Sequence, residues 1–198
     1  RQGPYPHFDT AAQWQFLCAC LTDFERLYGV DGVAITTHGA SAALVTGDAL
    51  ALPVLDYEFT LPQSVVAAYN ALRPVFSETF SPRLPVGLNL GAQLHYLLTT
   101  FPTEFSRTEH ILTYPQYWCF RLTGQARSEV TSLGCHTDLW QPEMGGFSTL
   151  VGRMLPVNLF PVLAQAGDVF ALSPAAARAT GVRPGIPVTC GIHDSNAS

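Results

Sequence analysis

Charge is scarce in this sequence. Asp, Glu, Lys and Arg make up 13% of its 198 residues, and the ten basic positions are scattered among fifteen acidic ones, for a formal net charge of −5. No basic stripe exists to neutralise a phosphate backbone, so nucleic acid is not an expected partner. Long apolar runs are missing too: none reaches the ~20 residues of a spanning helix. The opening RQGPYPHFDT has no charged-then-apolar leader pattern, and no membrane partner is expected. Cysteine is sparse and odd in number. Cys18, Cys20, Cys119, Cys135 and Cys190 sit in mostly apolar sequence, the usual setting of reduced thiols, which predicts a cytoplasmic protein. The one-residue gap of Cys18 and Cys20 and the zero gap of Cys135 and His136 do not match zinc-site spacings, so no metal site is read.

What is present is a folding chain. Hydrophobic residues reach 47%, and the length suffices to bury a core in one domain or one large part of a domain. TAAQWQFLCACLTDFERLYG, residues 10–29, predicts a helix. Thr10 and Gln13 read as a capping-box pair, Trp14, Leu17, Leu21, Phe24 and Tyr28 recur at steps of three and four, and Gly29 supplies the stop. DGVAITTHGASAALV predicts a buried strand, a turn near His38 and Gly39, and a returning strand. PQSVVAAYNALRPVF, ending near Pro74, and LNLGAQLHYLLTTFP read as helices. YPQYWCFRLTG and SPAAARATG read as short ones, led by Pro115 and Pro174 and stopped by Gly124 and Gly181, with Ser173 as a cap.

After the Pro184-Gly185 turn, PVTC is a last apolar strand, and GIHDSNAS follows it. His193 and Asp194 therefore stand at a strand's carboxyl end, where open α/β sheets gather ligands. Helices separating strand-like runs predict an α/β fold. Only three or four strands are convincing, however, so the sheet reads as incomplete.

Several motifs, in order, carry a family resemblance: Leu122-Thr123-Gly124, then Glu129-Val130-Thr131-Ser132, Asp138-Leu139-Trp140, and Gly191-Ile192-His193-Asp194. From about Asp31 to Ser198 the chain resembles the FGGY carbohydrate kinases of the actin and hexokinase superfamily. Asn89, Gln93-Leu94, the Leu52-Pro53-Val54 turn and the His-Asp-Ser run resemble the rhamnulokinase branch. The resemblance implies an actin/hexokinase-like, ribonuclease H-like N-terminal domain with an incomplete mixed sheet flanked by helices. Residues 1–198 would be most of that sugar-binding domain, without its first Asp-x-Gly-Thr hairpin and without the nucleotide domain. One departure stands out: after Leu-Pro-Val the family has Asp then Arg, whereas Asp56-Tyr57-Glu58-Phe59 holds no arginine.

The implied activity is ATP-dependent phosphorylation of a ketose such as L-rhamnulose or L-fuculose. ATP and Mg²⁺ would be bound mainly by parts outside this chain, and the sequence leaves a homodimer open. Alternatives are a kinase for another ketopentose or polyol, or a non-catalytic carbohydrate-binding relative.

Phosphoryl transfer needs a base at the acceptor hydroxyl, and Asp194 is the candidate. The plain alternative for Asp194 is a helix cap, which is compatible with catalysis because a cap fixes where the carboxylate points. His193 and Ser195, by resemblance, contact the sugar through hydrogen bonds, and His38 and Gly39 bring a second turn to it; a packed histidine and an ordinary hairpin turn are the alternatives. Asn89 and Gln93, one helical turn apart, read either as substrate-binding amides or as a solvated face. Trp118, Phe120 and Trp140 read as core.

Overall fold

Helix α1 (Thr10–Tyr28) starts one residue away from the expected cap in the computed structural model, which describes residues 3–197. Asp9 is the cap, its carboxylate accepting from the Ala12 N–H at 2.9 Å. Thr10 is already helical and Gln13 instead accepts from the Tyr114 hydroxyl, so the Thr10–Gln13 box does not form. Asp is the stronger N-cap of the two candidates, and its acceptor reaches the same orphan N–H groups. Of the apolar stripe, Leu21 is buried and Trp14 and Leu17 are half-buried, but Phe24 and Tyr28 are exposed.

The chain continues through β1 (Thr36–Thr37), β2 (Ala42–Thr46) and β3 (Ala49–Leu52) to α2 (Gln63–Leu72), α3 (Phe76–Thr79), α4 (Leu90–Thr100) and α5 (Pro102–Phe105). Next come β4 (His110–Thr113), α6 (Tyr114–Thr123), β5 (Ser128–Glu129), α7 (Val130–Gly134), β6 (Trp140–Gln141), β7 (Gly146–Phe147) and α8 (Thr149–Met154). The last elements are β8 (Leu163–Ala164), β9 (Val169–Ala171), α9 (Pro174–Thr180), β10 (Pro187–Thr189) and β11 (Ile192–His193). The short helices end as their sequences dictate. Gly124 and Gly181 take φ of 74° and 71°, the left-handed conformation that stops a helix without a Cβ penalty, and Ser173 caps α9 by accepting from Ala176.

Strand β2 organises the interior. It pairs antiparallel with β3 and β4, and its side chains alternate between two cores: Ala42 and Leu44 pack with Leu90, Leu94, Ile111 and Leu150, while Ala43 and Val45 pack with Leu112, Tyr114, Leu122 and Val188. A strand buried on both faces needs an uninterrupted apolar run, which is what AALV supplies. Trp118 and Trp140 are buried in these two cores, as expected.

The hairpin expected across His38 and Gly39 does not form. β1 pairs in parallel with β11, in register Thr36 to Ile192 and Thr37 to His193, and Val33 bridges Val188 of β10. The chain thus leaves one ladder at Thr37 and enters another at Ala42. Nor is this first strand fully buried: Ile35 is, but Ala34 and Thr36 are exposed. The result is a mixed α/β fold of short, incomplete ladders flanked by helices.

Candidate functional site

Parallel pairing of β1 with β11 makes both strands end on the same side, so the turns that follow them emerge together. His38, Gly39 and Ala40 come from the first, His193 and Ser195 from the second, and all five line one cleft of about 250 Å³. Tyr57, Leu84, Leu88, Cys135 and His136 complete the wall. The volume lies below the usual range for drug-sized ligands and suits a small one. The two sequence-predicted turns, far apart along the chain, meet at strand carboxyl ends as an α/β switch point provides.

The turns fit tightly. A Cβ built on Gly39 would overlap Nε2 of His193, so the imidazole lies directly against the glycine backbone. On the other side of that ring, Nδ1 accepts the Ser195 N–H at 3.0 Å. A neutral imidazole that accepts at Nδ1 carries its proton on Nε2, and burial lowers the His193 pKa from its ordinary 6.5 against the opposing pull of Asp194. His193 is therefore a neutral donor at pH 7, aimed across the Gly39 turn. It is also the residue that caps the 3-10 turn Asp194–Asn196, in place of the helix cap expected of Asp194.

Asp194 itself is half-exposed, with Oδ1 3.2 Å from His193 Nδ1 and accepting from the Ser195 N–H at 2.7 Å. One oxygen is thus fixed by backbone. His38 is held differently, packed against the rings of Phe8, Tyr57 and Tyr114 with centroids 5.0, 5.3 and 4.8 Å away, its Nε2 3.3 Å from Ser41 Oγ. Its burial also lowers its pKa.

Comparison with solved structures decides the fold. Over 96% of its length the chain superposes on a carbohydrate kinase from Novosphingobium aromaticivorans at 41% identity with a TM-score of 0.91. The fold is that of sugar kinases. A xylulose kinase from Rhodospirillum rubrum (20% identity, TM-score 0.83, 99% of this chain) and a Plasmodium falciparum glycerol kinase solved with ADP (12%, 0.82, 100%) share the fold. The chain spans 42%, 43% and 42% of those three proteins. No protein-family model and no curated protein matches it.

Within this sugar-kinase fold, Asn89 and Gln93 are buried, which excludes the solvated-face alternative. Neither lines the cleft. Asn89 Oδ1 accepts from the Leu84 N–H at 2.8 Å and Nδ2 donates to the carbonyls of Pro82 and His136 at 3.1 and 3.3 Å. Gln93 Nε2 donates to the carbonyls of Ala40 and Gly87, both at 2.5 Å. These amides tie together three segments of the cleft wall, those of Ala40, of residues 84–88 and of His136.

Gln116 was not legible as a site residue. Fully buried at the start of α6, it donates from Nε2 to the Gly191 carbonyl at 2.9 Å and to that of Cys190 at 3.3 Å, while Oε1 accepts from the Thr113 hydroxyl. Gly191 takes φ of 94° with Pro115 and Ile35 against it, so only glycine fits where β10 passes into β11. Tyr57, Leu84, Leu88, Cys135 and His136 also escaped reading as wall residues. Tyr57 alone had a signal, its place just after the Leu-Pro-Val turn.

Proposed function

We propose that this chain is the sugar-binding portion of an ATP-dependent ketose kinase, with residues 1–198 forming most of the sugar-binding domain. One observation carries the reading: a neutral imidazole donor, His193, meets a glycine-floored turn in a small cleft at the carboxyl ends of parallel strands, and the half-exposed Asp194 carboxylate, which does not itself line the cleft, stands 3.2 Å from that imidazole. In the reaction the sugar hydroxyl oxygen attacks the terminal phosphorus of ATP. The bond to the bridging oxygen breaks, ADP leaves, and the hydroxyl proton passes to the free oxygen of Asp194. His193 Nε2–H, His38 and Ser195 supply hydrogen bonds to the other hydroxyls.

The favoured substrates are 6-deoxyketohexoses, L-rhamnulose or L-fuculose, giving a sugar 1-phosphate or 5-phosphate. Leu84, Leu88 and the Tyr57 ring support this, because they offer an apolar wall to a methyl group and leave a hydroxyl there without a partner. ATP and Mg²⁺ belong to regions outside this chain; among the described residues no group of three or more His, Cys, Asp or Glu is placed to hold a metal ion.

The open side of β1 supports that division. Val33 and Ile35 exchange backbone hydrogen bonds with the β10–β11 side, so by strand alternation Ala34 and Thr36 turn their backbone groups the other way. They face a largely apolar groove of about 380 Å³ between α1 and α6. We assign the expected phosphate-binding hairpin to this edge.

The test is a panel of ketoses and polyols, L-rhamnulose, L-fuculose and D-xylulose among them, assayed for ADP formation with the intact protein. Turnover with a ketose, and none by the isolated 198-residue chain, is the expected result. An intact protein that forms no ADP with any of them overturns the reading.

A further inference from the structure

Left-handed backbone at non-glycine residues is costly and concentrates at functional sites. Ala40 and His136, which line this cleft, have φ of 50° and 57°, and the buried Asp138, two residues beyond His136, has φ of 64°. The segment that carries two of them is fixed from several directions. The fully buried Asp138 carboxylate receives Arg73 through both oxygens, Nε at 2.8 Å and a terminal nitrogen at 2.9 Å, and the Tyr69 hydroxyl at 2.7 Å. Arg73 also donates to the Ser81 carbonyl at 2.5 Å. The His136 carbonyl takes the Asn89 amide at 3.3 Å, and the Thr137 carbonyl takes the Gly91 N–H at 2.9 Å.

All of these bonds restrain backbone or lie beneath the surface. His136, between them, stays exposed and lines the cleft. It is near enough to His193 to bear electrostatically on that ring. A buried, bidentate ion pair whose far end supports a strained segment is more than a surface loop requires.

We infer that His136 is a further sugar-contacting residue and that the Arg73–Asp138 pair is the device that positions it. The inference rests on the reading of the cleft as a sugar site. His136 offers a donor and an acceptor to hydroxyls on the side of the sugar opposite His193. Leu84 and Leu88 line the same cleft, so the imidazole fixes which face of the ring turns toward them. His136 is a contact and Arg73 and Asp138 are positioning residues; none of the three exchanges a proton with the reacting oxygen.

The experiment uses the intact protein, with L-rhamnulose and D-xylulose as probes, and measures binding by calorimetry together with steady-state kinetics. His136→Ala is expected to raise KM and Kd for the sugar by roughly tenfold or more, with kcat and KM for ATP changed by no more than about threefold. His136→Gln, which keeps a donor and an acceptor, is expected to recover most of the affinity. Asp138→Asn should show the same sugar-specific loss while the protein stays folded by circular dichroism; if it unfolds, Arg73→Lys takes its place. Wild-type protein that binds a ketose no more tightly than His136→Ala overturns the inference and leaves the kinase reading standing. Wild-type protein that neither binds nor phosphorylates either ketose overturns both.

Discussion

The imidazole of His193 fills the space in which Gly39 would carry a Cβ. Gly39 is not in the left-handed region, so alanine there is tolerated by the backbone and opposed only by the ring. Gly39→Ala is therefore expected to cost about 1–3 kcal/mol, as overpacking does, and to weaken sugar binding. In a His193→Ala background the same substitution should cost almost nothing. Thermal unfolding of the four proteins of that cycle measures the coupling, and additive costs would show that the two turns do not press on each other.

Asp194→Asn removes the proton acceptor while keeping an oxygen for the Ser195 N–H. Turnover of the intact enzyme should fall by roughly 10²-fold or more, with sugar affinity and the unfolding temperature little changed. Near-normal turnover would remove Asp194 from the role of base.

Acid should switch the site off through His193. Its folded pKa lies below the ordinary 6.5 because of burial, so it is neutral at pH 7 and gains a proton only as pH falls. Once protonated at Nδ1, the ring can no longer accept from Ser195 and points a charged donor at Asp194, 3.2 Å away. Activity is thus expected to decline on the acid side of about pH 6.5. Stability should decline in the same window, because there the unfolded chain binds more protons than the folded one. His38 and His95, lowered by burial as well, add to that loss. A nuclear magnetic resonance titration that finds His193 protonating above 6.5 would contradict this.

Gln116→Met keeps the length and apolar body of the side chain but strips its donors from Cys190 and Gly191. Two buried carbonyls lose their partner, for an expected destabilisation of about 1–3 kcal/mol in denaturant unfolding. Turnover should fall more than sugar affinity, since Gly191 leads directly to His193 and the proposed base Asp194. Equal losses in both would make Gln116 a fold residue only.

The longer helices, with α9, announced themselves in the sequence because their stop and start signals are local: Gly124, Gly181, Pro115 and Ser173 act on their own neighbours, whereas the short α3, α5, α7 and α8 carried no such reading. The one misplaced start, Thr10 for Asp9, exchanged one capping oxygen for the next. Strand partners are not local. The alternation around His38 predicts extended chain but is silent on whether Ala42 turns back onto Ile35 or, as it does, joins β4. The motif residues Gly39, His193 and Ser195 were brought together in one cleft, whereas Asn89 and Gln93 went to the backbone behind it. His136 was legible only as half of a discounted metal pair with Cys135, because the segment that carries it is held through Asp138 by Arg73, 65 positions away in sequence.

The parallel ladder of β1 and β11 also sets a timetable. A ribosome delivers the chain from its amino end, so the His38 half of the cleft is made well before β11, the strand it pairs with. That pairing must close a loop of about 150 residues, whose entropy has to be met first. Most contacts of β2, β3 and β4 span shorter distances and can form before it. The amides of Thr37 and Ile192 should accordingly become protected from hydrogen exchange together, and later than those of Leu44 and Leu112. The cleft between the His38 and His193 turns is then a late seam of this fold, and anything held in it ties an early segment of the chain to one made about 150 residues later.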